Sequence, residues 1–434
     1  MRAFALALAL MLAFAAVRPA AAQPTNEGAK LDRIAPDYVL LALRIGEHEP
    51  GYIDAYYGPP EYQARARKDK GTIPELRREA DRLIAAVRAV DSSALKHLEK
   101  KRRSFFLAHL VSARARLDMI EGRKLPFRDE AAVILGYRPE LKPLSFYDPI
   151  LARIEKMVPG AGPLDKRVDA FRMRYVIPKE RLDAVMRAGI AECRRRTAAH
   201  MKLPETEAFD LEFVTNKSWS GYNWYKGGYK SLIQINTDLP IFADRAVDLG
   251  CHEGYPGHHV HNMTLERNLL RRRGWPEMSV YPLYSPTSFI SEGTGNYGID
   301  MAFPGDTRTE FEARVIFPLA GLDPKTARAN ADLRKAIADL SNARATISAD
   351  YLDGRIDRET AIRLVQKYQL VSRARAEQLI KFTEEYRSYV INYGLGQDEV
   401  KAHVERAGKA PAARWAAFEE LIGEPTIPAD FVGR

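Results

Sequence analysis

Apolar side chains recur at intervals of three and four, with charges between them, through most of this chain. That spacing commits it to helices that each bury one stripe. It is carried by 73–90 (IPELRREADRLIAAVRAV), 94–120, 178–201, 324–352, 357–368, 372–394 and 412–423. The 178–201 segment opens on proline, a favoured first helical residue. One region departs. Between 209 and 239 the chain turns rich in aromatics, glycine and β-branched residues, and the alternation of SLIQIN (231–236) after the KGG turn at 226–228 predicts a short hairpin or small sheet. The fold class is therefore mainly α. We expect two helical lobes about a cleft with a small β hairpin or sheet beside the central histidine motif, as one domain over 28–434.

The first 22 residues stand apart. Arg2 precedes an apolar run at 3–17, and AAA at 20–22 offers a cleavage site, the pattern of a secretory signal peptide and too short for a membrane span. No cysteine follows the run, so a lipid anchor is not expected, and no later stretch is apolar enough to insert in a membrane. A periplasmic or secreted protein is the expectation. The formal charge is +9, or +7 once Arg2 and Arg18 are set aside, and the basic residues are interleaved with acids. No basic stripe or recognisable module for nucleic acid is present. The chain has two cysteines, Cys193 and Cys251, and is long enough to bury a core unaided, so Cys251 reads as a small buried filler.

Chemistry concentrates in VDLGCHEGYPGHHVHN, 247–262. Of nine histidines in the chain, four lie here: His252, His258, His259 and His261. Imidazole is the commonest zinc ligand, and Glu253 supplies a carboxylate able to take a proton from water. In the HExxH arrangement the histidines are four apart on one helix face. From His252 that position is Pro256, which cannot ligate. On a straight helix His258 sits about 240° around, and His259 returns to the face about 10 Å along. Pro256, with Gly254 and Gly257, argues against a straight helix. Two residues absorbed as a bulge would bring His258 to the second ligand position, with His259 as the alternative. Glu292, in FISEGTGNYGIDMAF (289–303), is the candidate third ligand, and Asn296, one turn on, could orient a ligand histidine. Glycines 293, 295 and 298 suit close approach of another backbone. Zinc, one ion, is the default for such a set, with manganese or cobalt as alternatives.

The motif CHEGYPGHHVHN resembles the HEGxPGHH signature of the bacterial domain of unknown function 885 family. GEHEPGYIDAYYGPPE (46–61), NWYKGGYKSLIQINTDLP (223–240) and YRSYVINYGLGQD (386–398) are supporting segments, so the likeness spans nearly the whole chain after its leader. The resemblance implies a mainly helical zinc hydrolase akin to glutamate-zinc peptidases, with His252, His258 and Glu292 as ligands and Glu253 as base. Where the family shows EGWAxYxE this chain has EGTGNYGI: Glu292, Gly293 and Tyr297 match, while Thr294 and Ile299 depart, which bears on pocket shape and substrate. In such enzymes an edge strand beside the metal pairs with substrate backbone, a role for which SLIQIN is placed, and Trp219 and Trp224 could line a pocket. Tyr389, Tyr393 and Arg387 are candidates to stabilise the developing oxyanion. Arg387 could instead hold a peptide carboxylate.

These readings converge on an exported zinc metallohydrolase, foremost a peptidase of oligopeptidase or carboxypeptidase type acting on small peptides. The alternatives are a zinc hydrolase of other small amides or esters, and a non-catalytic exported metal-binding protein.

Overall fold

The periodic segments form helices in the computed structural model, which describes residues 24–433. The leader peptide read at 1–22 lies outside the described residues. The 73–90 stripe becomes the Ile73–Arg88 helix, opened by a capping box in which the Thr72 hydroxyl accepts from the Glu75 amide and the Glu75 carboxylate accepts from the Thr72 amide. Leu76, Ala80, Leu83, Ile84 and Val87 are its buried face. Two segments break where one helix was expected. The 324–352 stretch divides into Ala327–Ala338 and Ala343–Leu352, and 372–394 into Arg373–Tyr386, a short 3-10 turn, and a helix from Ile391 to Arg406.

The β content is larger than the single element expected. Strand β1 (Ile53–Tyr56) pairs antiparallel with β5 (Val280–Pro282). Strands β2 (Ala208–Val214), β3 (Gly221–Gly227) and β4 (Lys230–Asn236) form a separate sheet in the order β2-β4-β3. The hairpin is there: β3 and β4 run antiparallel, turning at Gly227, Gly228 and Tyr229, all with positive φ. SLIQIN, however, is not an edge. β2 adds to its other side in parallel register, so β4 is central and β3 is an edge of the sheet.

Two hydrophobic cores flank a cleft. The larger holds Phe289, Tyr297, Val260, Ile190 and Phe418, and the smaller is built from Leu151, Ile154, Leu333, Ile347, Val365 and Ile380. Between them opens a cavity of about 570 Å³, whose walls carry His252, Glu253 and Glu292 together with Arg334, Ser341 and Arg344. The Pro286–Ala302 helix crosses the Ile391–Arg406 helix tightly. A Cβ on Gly293 would stand 2.5 Å from the Gly396 carbonyl oxygen, so glycine sets the approach. Among the described residues no helix is long and apolar enough to cross a membrane.

Cys251 is not an isolated filler. It is disulfide-bonded to Cys193 of the Leu182–Ala198 helix, across 58 residues of sequence. The bond ties the start of the histidine motif to the core helix beneath it.

Candidate metal centre

The histidine motif is not one bulged helix. The Arg245–Leu249 helix widens into a π turn over Gly250–Gly254, leaves helical geometry at Tyr255, passes a cis Tyr255–Pro256 bond and restarts as His258–Leu265. Gly257 makes the reversal possible. Its amide donates to the Cys251 carbonyl at 3.0 Å, and a Cβ there would fall 1.8 Å from the His252 carbonyl oxygen. The chain therefore folds back on itself, and the His252 and His258 rings come to 4.6 Å between centroids, nearly perpendicular.

Glu292 meets them from the Pro286–Ala302 helix. Its Oε2 lies 3.1 Å from His252 Nε2 and its Oε1 3.7 Å from His258 Nε2. One ligand atom from each of the three residues falls within 4.8 Å of the others. Tetrahedral ligands at zinc–nitrogen distances stand about 3.4 Å apart, between the two measured spacings. The far side of each ring is held. His252 Nδ1 lies 2.9 Å from Asn296 Oδ1, and His258 Nδ1 lies 2.9 Å from Ser291 Oγ. Gly295 lets the helix press against His252, since a Cβ would sit 3.0 Å from the ring. Glu292 Oε2 is buried and, despite the nearby imidazole, takes part in no aligned hydrogen bond. A carboxylate with one oxygen unbonded, set against two imidazoles whose opposite nitrogens are engaged, fits a divalent cation.

The charges have the same sense. Burial alone would raise Glu292, but His258, His252 and the Tyr389 hydroxyl hold it below the usual carboxylate range. Burial works to lower His252, yet the nearby carboxylates of Glu292 and Glu253 lift it to about 9. His258 is pushed down to about 4 by burial, with the His252 charge adding and Glu292 opposing. Glu253 faces the large cleft, where burial pushes it up to about 7, opposed by His252. Its carboxylate has no hydrogen bond or ion pair among the described residues, while its carbonyl accepts from Asn223 Nδ2 at 2.6 Å.

The other candidates separate. His259, the alternative ligand, is turned away from the cluster. Its Nδ1 lies 2.8 Å from Ser231 Oγ and its Nε2 3.1 Å from Glu207 Oε2, in a buried network that also takes in Tyr255 and is closed at the surface by Arg194. Arg387 is likewise committed elsewhere, to Glu130 at 2.7 Å, and does not line the cleft. Tyr389 donates to Glu292 Oε1 at 2.7 Å, which makes it a support for the carboxylate. Tyr393 lines the cleft and stacks near His252, and its hydroxyl has no hydrogen bond among the described residues. Trp219 lines the cleft. Trp224 does not, and its indole donates to Gln234 on the neighbouring strand.

Two residues escaped the sequence reading. Arg344 lines the cleft with no carboxylate partner among the described residues. Its guanidinium's only hydrogen bond among the described residues is a long one to the Leu379 carbonyl (3.4 Å), its Nε is unpaired there, and burial pushes it down to about 10. In the sequence it is one arginine among many. Asp54, from β1, reaches the same neighbourhood, where burial pushes it up to about 7 despite a hydrogen bond from Tyr222. The only signal for it was its place in the YIDAYYG segment.

No family model matches the chain, and no curated protein does. Solved structures do resemble it. A provisionally assigned lipoprotein from Colwellia psychrerythraea matches at 16% identity and TM-score 0.48, covering 83% of this chain and 69% of its own. A second such lipoprotein, of unknown function, from Shewanella oneidensis, matches at 15% and 0.44, covering 84% and 76%. An M32 carboxypeptidase from Deinococcus radiodurans matches at 15% and 0.43, covering 94% and 95%. Likenesses this loose carry no function across.

Proposed function

We propose that the chain is an exported zinc-dependent peptidase that shortens small peptides from the carboxyl end, related to the domain of unknown function 885 proteins its motif resembles. The observation that carries this reading is the convergence of His252, His258 and Glu292 beside an unpaired Glu253 carboxylate in a cleft. These three residues would hold the ion. Zinc bound there supplies Lewis acidity toward the scissile carbonyl and lowers the pKa of water. Glu253, held near neutral pKa, takes a proton from the attacking water and returns it to the leaving amine. Tyr393 donates its free hydroxyl toward the charge that develops on the carbonyl oxygen. Edge strand β3 replaces SLIQIN as the backbone available to an extended substrate, since a Cβ on Gly221 would lie 2.8 Å from Glu253 Oε1.

Arg344 favours the carboxypeptidase type. A guanidinium without a counter-ion in a cleft wall is suited to a carboxylate, which it binds through paired donors. The Cys193–Cys251 disulfide suits export. Replacing Glu253 by Gln should abolish peptide hydrolysis and leave one zinc per chain. Normal turnover in Glu253→Gln would overturn the mechanism.

A further inference from the structure

A second, smaller cavity of about 50 Å³ opens beside His258 and Glu292. It is distinct from the large cleft, because Arg344 lines only the large one and Asp54 only the small one, and the two meet at the ligand cluster. Its walls are aromatic, with Trp219, Tyr222, Tyr281, Phe382 and Tyr386 among them, and among the described residues no lysine or arginine lines it.

One acceptor faces this space without a cation to meet it, and a second lies buried in its wall. Asp54 accepts from the Tyr222 hydroxyl at Oδ1, and its Oδ2 has no hydrogen bond or ion pair among the described residues. Asn223 is buried. Its amide nitrogen donates to the Glu253 carbonyl, which fixes the orientation of the group, and its Oδ1 has no partner. An apolar occupant would leave both acceptors unbonded, and an anion would meet the Asp54 charge. A cation that donates hydrogen bonds satisfies the Asp54 carboxylate, has the Asn223 oxygen in the wall behind it, and rests against aromatic faces, which attract positive charge. The volume admits an ammonium and the carbon that bears it, not a whole side chain.

We infer that Asp54, with Asn223 and the aromatic walls, forms a subsite for a substrate ammonium group. The inference rests on the peptidase reading and deepens it. A scissile bond at the junction of the two cavities has Arg344 available to a carboxylate along one arm and Asp54 to an ammonium along the other. Short zwitterionic peptides are then the preferred substrates. It also gives the YIDAYYG segment a role, since β1 delivers Asp54 to a site built mainly from residues far downstream.

The test uses calorimetric binding to the Glu253→Gln protein, so that nothing is turned over. Alaninamide is compared with N-acetylalaninamide for an α-ammonium, and N-acetyllysinamide with N-acetylnorleucinamide for a side-chain ammonium. The expected result is a preference of about tenfold or more for the charged member of one pair, lost when Asp54→Asn is added. Where Asp54→Asn lowers the melting temperature, Asn223→Leu must weaken the preference as well. Equal binding of both members of both pairs, or a preference that survives Asp54→Asn, overturns the subsite. The peptidase reading fails separately: wild-type protein that cleaves no peptide with zinc present would end that reading and leave the ammonium preference measurable.

Discussion

His252 and Asn296 are locked in a defined order of donors. Asn296 gives its amide nitrogen to the Tyr393 carbonyl at 2.7 Å, so the oxygen that faces His252 Nδ1 at 2.9 Å can only accept. Nδ1 therefore carries a proton, and Nε2 is the nitrogen turned toward Glu292. Replacing Asn296 by Leu should leave the fold intact and weaken zinc binding by about 10–100-fold, measured by competition with a chromogenic chelator. Unchanged affinity would mean the hydrogen bond does not orient the ring.

The fold-back depends on Gly257 more than on any other glycine of the motif. Gly257→Ala drives a methyl into the His252 carbonyl, a backbone atom that cannot step aside. We expect a loss of about 3 kcal/mol or more in stability, seen as a lower denaturant midpoint, together with loss of zinc. Gly295→Ala meets only the His252 ring at 3.0 Å, which can tilt, so it should lower zinc affinity with a much smaller change in stability.

Glu207 anchors the residues that flank the turn, taking bonds from Tyr255, His259 and Arg194. Burial would raise its carboxyl, but these partners hold it at about 2, below its ordinary 4.5. A depressed carboxylate stabilises the fold fully above the unfolded value and loses that contribution as pH falls from about 4.5 toward 2. Glu207→Gln should melt lower at neutral pH and show a shallower fall in melting temperature across that window. Parallel acid profiles for the two proteins would contradict the assignment.

Arg344 should act on substrates with a free carboxyl terminus. Arg344→Met is expected to raise KM for such peptides by about 10–100-fold, with little effect on the same peptides capped as amides. A loss shared equally by both would mean the arginine supports the cleft wall and does not read the carboxylate.

What could be read from the sequence was local. The helical stripes, the hairpin turn at 226–228 and the trio His252, His258 and Glu292 each have signals within a few residues of themselves. The glycines of the Pro286–Ala302 helix announced close packing, and Gly293, Gly295 and Gly298 meet Gly396, His252 and Pro256. Misreadings came from partners distant in sequence. Cys251 finds Cys193 across 58 residues, and β2 covers the second side of SLIQIN from a strand whose own pattern gives no register. Arg387 and His259 looked available because Glu130 and Glu207, which occupy them, have no marked spacing to either. Asp54 lies about 200 residues upstream of the histidines, and the pairing of β1 with β5 and its packing on β3 bring it in.

The proposed activity requires His252, His258 and Glu292 to hold one ion. Metal analysis of the purified chain, before and after chelation, tests it most directly. One zinc per chain is expected, removed by chelator along with peptide hydrolysis and restored by added zinc. His258→Ala and Glu292→Gln should fail to retain zinc while His259→Ala keeps it. A chain that hydrolyses peptides equally well without metal, or a His258→Ala protein that binds zinc as tightly as the parent, would contradict it.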